Sequence, residues 1–399
     1  VRVLSGKGKF IGSGFYNEHS KITVRIISTN ANDRFDDAFW KRRVSYALDY
    51  RLQVMRPEDY DNMRIIFGEA DQLPGLTVDR FGDVLSVQVL SLGIEKNKDI
   101  ILNSLIEVLR QHGLPVSCVY ERNDVKIREL EGLTQYKGFF DSPLLNPEDR
   151  KTITHIVENG IHYDVDVENG QKTGFFLDQK YNRLAIQKLC KNAKVLDCFT
   201  HTGSFALNAG IAGAQSVLGV DASQLAVDQA TENAKLNGLD NCKFIAGDVL
   251  KVLDDLTEKP DVIVLDEPTS FLDVKYKLEL LSILERMARQ KKITVIMSLH
   301  EIDLAQKISD KIICVKGETI SHYGSPEKVF TEEIIRELYG INNGYFDPLF
   351  GSIELPAPEG KPEVFVISSG GTGIPVYRRL QKEHIPFAAG ILYENDMDY

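Results

Sequence analysis

Hydrophobic and polar positions at the start of the chain have the spacing of short strands followed by a helix. Ile22, Val24 and Ile26 alternate with polar residues, and glycines are interspersed among the apolar positions of residues 1–28. Because successive side chains of a strand point to opposite faces, this alternation predicts the short strands of a small barrel. Residues 35–56 place apolar side chains at helical spacing, which predicts a helix.

The next segment mixes strand and helix patterns. Residues 63–91 contain short apolar runs separated by turn residues, which predicts a β-meander. Residues 98–111 are amphipathic at helical spacing, and residues 117–121 begin a further strand. Together these patterns predict a small α+β unit that fills residues 63–145.

A different pattern follows. Residues 160–167 predict one arm of a hairpin, and residues 178–191 predict a helix. Beyond them, short apolar runs alternate with helical stretches, which is typical of an open parallel sheet with helices on both faces. The predicted strands of this sheet are residues 195–197, 216–221, 243–246, 262–266 and 294–299.

The end of the chain repeats neither pattern. Residues 312–316 and 319–323 flank Gly317-Glu318 and predict an antiparallel hairpin. Residues 356–362 contain three prolines and predict a linker. A strand at residues 364–368, a glycine-rich turn and a helix at residues 376–381 then predict a βα unit that is too short to be a domain.

Composition limits the class of protein. The chain has 399 residues, of which 43% are hydrophobic and 26% are charged, so it predicts a protein of two to four domains and excludes a disordered or collagen-like chain. No apolar run approaches the ~20 residues of a membrane helix, so we expect no membrane insertion. The chain begins at Val1 without the apolar core of a signal peptide, and we expect a truncated N-terminal domain.

The cysteines point to a reducing compartment. No two of them have CxxC spacing, so neither a disulfide framework nor a zinc site is indicated, and we expect a cytoplasmic protein without a structural metal. The five cysteines are Cys118, Cys190, Cys198, Cys242 and Cys314.

Charge is divided unevenly along the chain. The net charge is −11, yet residues 1–60 hold eleven lysines and arginines against seven acidic residues, so this segment is +4 and the remainder is −15. Contacts with nucleic-acid phosphates are therefore expected in the first sixty residues, although a merely solvated basic face would have the same composition. The candidate RNA-binding residues are Lys7, Lys9, Lys21, Arg25, Lys41, Arg42 and Arg43.

Carboxylates stand where strands of the predicted parallel sheet end. Asp197 ends one strand, Asp221 ends the next strand 24 residues later, and Asp248 follows the third. Ligands of such sheets bind beyond the carboxyl ends of the strands, where acidic residues bind sugar hydroxyls. The turn at residues 198–203 contains only Gly203 instead of a GxGxxG motif. An adenosine with a sulfonium tail therefore fits this site better than a dinucleotide.

Four segments carry a family resemblance that runs from residue 1 to about residue 265. They are FIGSGFYN at residues 10–17, GEADQLPGLTVDR at 68–80, YERND at 120–124 and NGQKTGFFLDQ at 169–179. These segments resemble the large-subunit ribosomal RNA cytosine-C5 methyltransferases, which join a PUA domain, a small central domain and a Rossmann-type methyltransferase domain.

The resemblance implies S-adenosylmethionine as the cofactor and ribosomal RNA as the partner. It also implies a donor site in which Asp221 binds the ribose and Asp248 binds the adenine. The full set of implied cofactor-binding residues is Phe175, Asp178, Asp197, Phe199, Gly203, Asp221 and Asp248.

The chain departs from this family after Asp266. The family continues with Pro-Pro, placing the aspartate beside the target base, and supplies a cysteine at the end of the next strand. Here the sequence reads Asp266-Glu-Pro-Thr, and the next strand ends in Met297-Ser-Leu-His300. Because cytosine C5 becomes nucleophilic only after a thiolate adds to C6, we expect impaired catalysis. We expect Cys198 and Cys314 to be inert buried thiols.

Residues 262–345 instead resemble the C-terminal part of an ABC transporter ATPase of the iron-siderophore or cobalamin importer type. This resemblance implies that Asp266 holds Mg²⁺ through water, that Glu267 polarises the attacking water and that His300 senses the γ-phosphate. It implies a D-loop at residues 270–273, Mg-ATP as an alternative ligand and importer membrane subunits as partners. No phosphate-binding G-x-x-x-x-G-K-[ST] motif occurs in the chain, so such an ATPase would be incomplete.

The predicted fold class is α/β, with a Rossmann-type methyltransferase sheet that an ABC-ATPase-like half completes or replaces after residue 262. Strand order distinguishes the two folds. In the methyltransferases, the strand that follows Asp266 in sequence lies on the side of the Asp266 strand that faces away from the first strand of the sheet. In ABC ATPases, that following strand lies between the Asp266 strand and the first strand. The predicted domains are a PUA-like RNA-binding domain with a connecting helix at 1–60, a central α+β domain at 61–150, a partial methyltransferase domain at 151–265, an ATPase-like part at 262–345 and an extension at 346–399.

Three functions follow from these resemblances. The leading hypothesis is a ribosomal RNA cytosine-C5 methyltransferase that binds its donor but is catalytically impaired. The alternatives are an incomplete ATP-binding subunit of an importer and a non-catalytic RNA-binding hybrid. A recombined or misassembled gene would explain the change of family near residues 260–266, and a natural fusion is the other account. The target nucleotide and the oligomeric state are left open.

Overall fold

A computed structural model describes residues 1–270, 272–317, 319–341, 343–348, 351–390, 392, 393 and 396. The chain folds as two compact units. The first comprises Val1–Asp266 with Arg286–Ile296, and the second comprises Glu267–Glu285 with Met297–Tyr399. The boundary after Asp266 falls at the residue where the sequence departs from the methyltransferase resemblance.

The N-terminus forms the predicted short strands. They are β1 (Arg2–Leu4), β2 (Phe10–Tyr16) and β3 (Val24–Ser28), joined as an antiparallel sheet in that order. Gly14 is required on β2, because a Cβ there would lie 2.0 Å from the carbonyl oxygen of Arg25 on β3. The predicted helix follows as α1 (Asp37–Val54), and the carboxylate of Asp36 caps it by accepting from the N–H of Phe39.

The central domain is a five-stranded mixed sheet with the strand order β4-β5-β6-β7-β8. The β-meander is confirmed, and α3 is the crossover that lets β7 run parallel to β6. The elements are β4 (Asn62–Phe67), β5 (Leu76–Phe81), β6 (Val84–Val89), α2 (Leu92–Glu95), α3 (Lys98–Gln111), β7 (Cys118–Asn123) and β8 (Tyr136–Phe139).

One hydrophobic core joins α1 to the central sheet. Trp40 and Leu48 on α1 are fully buried with Ile65 on β4, Val87 on β6 and Leu105 on α3. Each such side chain contributes roughly 1.5–3 kcal/mol by leaving water. The connecting helix therefore belongs energetically with the central domain.

A hairpin and a parallel sheet follow. The hairpin strands are β9 (Ile153–Glu158) and β10 (Ile161–Asp166), and α4 (Lys180–Cys190) comes after them. The sheet strands are β11 (Lys194–Cys198), β12 (Ser216–Asp221), β13 (Cys242–Ala246), β14 (Val262–Leu265) and β15 (Thr294–Met297). The intervening helices are α5 (Ser204–Ile211), α6 (Gln224–Leu236), α7 (Val249–Asp254) and α8 (Val274–Lys291).

The order of these strands decides between the two expected sheets. It is β13-β12-β11-β14-β15, so β11 pairs directly with β14 and β15 lies on the far side of β14. This is the arrangement that the methyltransferase resemblance implies. The ATPase arrangement, in which β15 would separate β11 from β14, is not adopted, so the predicted replacement of the sheet by an ATPase-like half is wrong at this strand.

The remaining elements are short. They are α9 (Ile302–Ile308), β16 (Ile312–Lys316), β17 (Thr319–Gly324), α10 (Pro326–Val329), α11 (Glu332–Tyr339), β18 (Tyr345–Asp347), β19 (Ser352–Glu354), β20 (Val364–Val366), α12 (Ile374–Lys382) and β21 (Phe387–Ala389). The hairpin β16–β17 is confirmed, although Glu318 in its turn lies outside the described residues. The predicted βα unit is also confirmed and continues into β21, which pairs parallel with β20. Within the described part of the chain, no helix is long and apolar enough to cross a membrane.

A buried ion pair joins α4 to β9 in the first unit. Arg183 on α4 donates from Nε and Nη2 to the carboxylate oxygens of Glu158 on β9, at 2.7 and 2.8 Å, and both side chains are at most 2% exposed. Arg183 also donates to the carbonyl of Phe176 at 2.7 Å. Removing one partner of such a pair leaves the other charge buried and unpaired.

We therefore expect Glu158→Gln to lower the free energy of unfolding by about 3 kcal/mol in urea titrations. The matched control is Glu232→Gln, which breaks the exposed Glu232–Lys235 pair on α6 and should leave stability unchanged. Equal stability of the two variants would show that the buried pair contributes nothing.

Candidate functional site

The turn after β11 is built around a buried carboxylate. Asp197 is 2% exposed, and its Oδ2 accepts hydrogen bonds from the Thr200 hydroxyl at 2.5 Å and from the N–H of Ala206 at 2.9 Å. Phe199 and His201 in this turn have φ values of 61° and 51°, in the left-handed region that side chains disfavour. Such strain is concentrated at functional sites, where surrounding contacts maintain it.

The surroundings of Asp197 bear on its expected role. Burial, together with the nearby charges of Asp266 and Asp221, raises the pKa of Asp197 to about 7, although the hydrogen bonds from Thr200 and Ala206 oppose the shift. A carboxylate so enclosed shapes the turn through its hydrogen bonds to Thr200 and Ala206. The expected role of Asp197 in cofactor binding stays a prediction, and its burial favours an indirect role through the turn backbone.

Gly203 ends the turn with a φ of 82°. A Cβ at this position would lie 3.0 Å from the Phe244 ring and 3.0 Å from the Cβ of Ala230, so glycine is required both by conformation and by space. Gly219 on β12 is similarly close to Phe244, where a Cβ would lie 2.4 Å from the ring. The aromatic ring of Phe244 thus occupies the space that two glycines leave.

Asp221 is the carboxylate with the right chemistry for a sugar. It ends β12, and its oxygens accept one hydrogen bond each, from the N–H groups of His201 and Ser223, both at 2.9 Å. A carboxylate has about four acceptor positions, so capacity remains for two hydroxyl donors. Asp248, beyond β13, is exposed and caps α7 by accepting from the N–H of Leu250 at 2.9 Å. Both residues therefore fit the ribose and adenine roles that the resemblance implies.

The segment before α4 contains two adjacent phenylalanines with different surroundings, of which the sequence analysis named only Phe175. Phe175 is 4% exposed, with its ring 5.1 Å from that of Tyr163, so it belongs to the core. Phe176 is half-buried and meets His201 edge-on at 5.6 Å, while the Lys172 ammonium lies 4.7 Å from its ring centre. The contact of Phe175 with the cofactor stays a prediction. Its burial in the core makes Phe176, the adjacent and more open phenylalanine, a second candidate for that contact.

Asp178 and Phe199 remain at the surface of this region. Asp178 is exposed, and its negative charge contributes to raising the pKa of Arg64. Phe199 is half-buried within the strained turn. Asp266, at the end of β14, is close enough to the turn for its charge to raise the pKa of Asp197. The structure thus brings the predicted carboxylates to one edge of the sheet.

The second unit holds the residues that the ATPase resemblance named. His300 Nε2 lies 2.7 Å from Glu267 Oε1, and the N–H of Glu267 donates to the Ser298 hydroxyl at 2.7 Å. The expected D-loop at residues 270–273 is only partly visible, because Phe271 lies outside the described residues. Glu267 and His300 are therefore adjacent, but this pair alone cannot bind a triphosphate without a phosphate-binding loop.

Comparison with known proteins identifies the family. A model of S-adenosylmethionine-dependent methyltransferases matches residues 126–295, and a model of PUA-like domains matches residues 1–29. The chain is 38% identical over 283 residues to ribosomal RNA large subunit methyltransferase I of Klebsiella pneumoniae (strain 342), covering 70% of this chain and 68% of that protein. The corresponding protein of Aeromonas salmonicida is also 38% identical, with 70% and 69% covered. The chain belongs to this methyltransferase family.

Solved structures agree on the fold. A SAM-dependent methyltransferase from Streptococcus mutans superposes with a TM-score of 0.60 at 20% identity, covering 78% of each chain. The methyltransferase SMU.776, complexed with SAH, gives a TM-score of 0.63 at 19% identity, covering 81% of this chain and 87% of that one. The methyltransferase match reaches residue 295, beyond residue 262 where an ATPase-like half was expected to begin, and neither family model describes an ATPase. The methyl donor of this enzyme is S-adenosylmethionine.

Four of the five thiols are poorly prepared for nucleophilic attack. All five cysteines are buried. Burial raises the pKa of Cys190 to about 11 and of Cys242 to about 12, and it raises those of Cys198 and Cys314 as well. Since the thiolate is the nucleophile, these four groups are unreactive near neutral pH. The expectation that Cys198 and Cys314 are buried is confirmed.

The seven basic residues of the expected RNA-binding surface fall into two groups. Arg25 is only 16% exposed and donates to Glu131 at 2.7 Å, so it joins the N-terminal sheet to the central domain and is not available as a free cation. Three cations on α1 are engaged within the protein: Lys41 with Glu107, Arg42 with Asp33, and Arg43 with the carbonyl of Ile27. Lys7, Lys9 and Lys21 are exposed, and Arg42 is also exposed despite its ion pair with Asp33.

The raised pKa of Asp197 predicts a pH dependence of stability. An ordinary aspartate loses its proton near pH ~3.9, so between about pH 4 and about pH 7 the folded enzyme binds more protons than the unfolded chain. In that window Asp197 makes the free energy of unfolding fall as pH rises. Asp197→Asn cannot titrate, so urea unfolding from about pH 5 to about pH 8 should show the variant gaining stability relative to wild type. A constant difference across this range would contradict the assignment.

Proposed function

We propose that this methyltransferase binds S-adenosylmethionine at the turn after β11 and acts on cytosine C5 of large-subunit ribosomal RNA, at a rate impaired by the lack of a nucleophilic thiol. One observation carries the proposal: the strand order brings the turn, Asp221 and Asp248 to the carboxyl edge of a methyltransferase sheet. The related proteins from Klebsiella and Aeromonas are named for ribosomal RNA large subunit methylation, which supports the substrate.

Each residue of the site has a distinct task. When bound, the donor supplies a methyl group made electrophilic by its sulfonium. Asp221 would accept hydrogen bonds from the ribose hydroxyls, and Asp248 would accept from the exocyclic amine of the adenine. Phe176, whose ring meets His201, would form an apolar wall, and the backbone from Phe199 to Gly203, which is left-handed at Phe199, His201 and Gly203, would line the donor. These interactions would hold the methyl group in one orientation, which removes part of the entropic barrier to group transfer.

The target side of the site is incomplete for cytosine chemistry. Asp266, at the end of β14, is placed to hydrogen-bond the target base, as the family resemblance implies. Attack by cytosine C5 first requires a nucleophile at C6, and a buried, protonated Cys198 cannot serve. We therefore expect donor binding to survive in this chain and methyl transfer to be slow.

Isothermal calorimetry with S-adenosylmethionine tests donor binding. We expect micromolar affinity, equivalent to about −8 kcal/mol, for wild type and a loss of at least about tenfold for Asp221→Ala. The matched control is Asp240→Ala, an exposed aspartate of the same domain that should bind normally. Equal affinity of both variants would refute the role of Asp221, and absence of binding by wild type would refute the donor site.

Transfer of a labelled methyl group to a ribosomal RNA fragment tests the expected impairment. Robust turnover that persists in a Cys198→Ala/Cys314→Ala double variant would contradict the requirement for a thiol.

Titration with Mg-ATP tests the importer-ATPase alternative, which the contact between Glu267 and His300 favours. Binding of Mg-ATP that Glu267→Gln changes would support that alternative.

We further propose that RNA phosphates contact the exposed lysines of the N-terminal sheet region. Lys7, Lys9 and Lys21 are exposed, whereas Arg25 and the α1 cations are occupied by protein partners. The domain bounds 1–60, 61–150 and 151–265 then correspond to RNA binding, connection and donor binding.

Replacing these three lysines by alanine should weaken RNA binding uniformly across sequences. Each lost phosphate contact lowers the slope of log affinity against log salt by about 0.7 to 0.9, so the triple variant should lose about two to three units of slope. A control triple variant at Lys188, Lys191 and Lys243, which are exposed lysines of the methyltransferase domain, should retain the slope. Equal loss in both variants would indicate a nonspecific charge effect.

A further inference from the structure

The residues between β10 and α4 that precede Phe176 form no regular element, yet they carry part of the proposed donor site. We call residues 167–176 the donor loop. Lys172 and Gly174 have φ values of 51° and 127°, and Thr173 between them is only 2% exposed. A loop of this kind needs contacts from outside itself to keep one conformation.

The first external contact comes from β5 of the central domain. Asp79 is fully buried, and its carboxylate accepts from Arg64 Nε at 2.8 Å and from Arg64 Nη2 at 2.9 Å. The same carboxylate accepts from the hydroxyl of Thr173 at 2.5 Å. The hydrogen bond to Thr173 is therefore charge-assisted and shielded from water, which makes it stronger than an ordinary hydroxyl contact.

The second contact comes from β7. Arg122 Nη1 donates to the carbonyls of Val167 at 3.0 Å and Gly170 at 2.7 Å, and its Nε donates to Asp124 at 3.1 Å. The planar guanidinium fixes both loop carbonyls at once. On β8, the exposed Lys137 adds a third contact by donating to the carbonyl of Glu168 at 3.1 Å.

These contacts lead to Phe176, which lies beside the turn after β11. Phe176 closes the loop, its carbonyl accepts from the buried Arg183 at 2.7 Å, and its ring meets His201 at 5.6 Å. Hydrogen bonds to Asp79, together with the charges of Asp79 and Asp178, raise the pKa of Arg64 although burial opposes the shift, so Asp178 also lies near this network. The central domain thus holds the loop on one side while the methyltransferase domain holds it on the other.

We propose that the central domain is a clamp that pre-organises the donor loop, and that Thr173 and Arg122 are positioning residues for binding of S-adenosylmethionine. This inference rests on the proposed donor site. It assigns a task to two sequence segments, residues 68–80 and 120–124, which contain Asp79 and Arg122 and which carried the family resemblance without an explained role. A loop that is ordered beforehand saves the entropy that donor binding would otherwise cost.

The test is donor affinity in Thr173→Val, measured by calorimetry. Arg64 still donates two hydrogen bonds to Asp79 in this variant, so no buried charge is left unpaired. We expect affinity to fall about tenfold, equivalent to ~1.4 kcal/mol, and Thr173→Ser, which restores the hydroxyl, to recover it. Hydrogen exchange of residues 167–176 should accelerate in the valine variant alone.

The matched control is Thr154→Val. Thr154 is a buried threonine on β9 that donates to the carbonyl of Phe81 on β5 at 3.2 Å, so it joins the same two domains without touching the donor loop. This control should bind the donor like wild type. If it lost affinity equally, the effect would be a general loosening of the domains, and the clamp would be refuted.

The remaining outcomes are also decisive. Folded Thr173→Val with wild-type affinity would overturn the clamp while leaving the donor site intact. If Thr173→Val fails to fold, Lys137→Ala takes its place, because Lys137 is exposed and contacts only the loop's surface. That variant should weaken donor binding about twofold, and unchanged affinity would overturn the clamp. Absence of donor binding by wild type would overturn the proposed function and the clamp together.

Discussion

The direct parallel pairing of β11 with β12 on one side and β14 on the other is the constraint on which the functional site depends. Parallel strands that share a sheet end at the same edge, so residues far apart in sequence meet there without any long-range recognition between side chains. Asp197, Asp221 and Asp266 are brought together in this way, closely enough for the charges of the last two to raise the pKa of the first. Had β15 entered between β11 and β14, this grouping of charges would have been broken.

The buried carboxylate of Asp197 helps to shape the turn at that edge. It accepts hydrogen bonds from Thr200, which lies between the left-handed residues Phe199 and His201, and from the N–H of Ala206. Hydrogen bonds shielded from water in this way are electrostatically stronger than exposed ones. Asp221 in turn fixes His201 through the backbone N–H while keeping acceptor capacity. One enclosed acid shapes the turn, and a second, more open acid keeps acceptor positions for the proposed contact with the donor.

The central domain acts on this site from outside the sheet. Its buried Asp79 and Arg122 contribute nothing to an apolar core, and burying charge is costly unless every charge is paired. Both are paired, and both also form hydrogen bonds with the loop that leads to Phe176: Asp79 accepts from Thr173, and Arg122 donates to the carbonyl of Gly170. Polar residues at such positions add specificity of conformation where hydrophobic packing alone would leave a glycine-rich loop free to move.

The amino-acid sequence by itself determined the elements and the family. Short apolar runs that alternate with helical stretches predicted the strands of the parallel sheet. The carboxylates at the ends of those strands predicted the edge proposed to bind the donor. Both signals are local and depend only on residue spacing. The departure after Asp266 was also visible in sequence, and the boundary between the two compact units falls there.

Tertiary structure alone decided which of two sheets the chain forms, since a strand's own residues do not record its neighbours. It also decided burial. Phe175 and Phe176 are identical in type and adjacent in sequence, yet one packs in the core and the other meets His201. Arg25 and Lys7 are both cations of the basic segment, yet only Lys7 remains in solvent, because Glu131 arrives beside Arg25 from more than one hundred residues away.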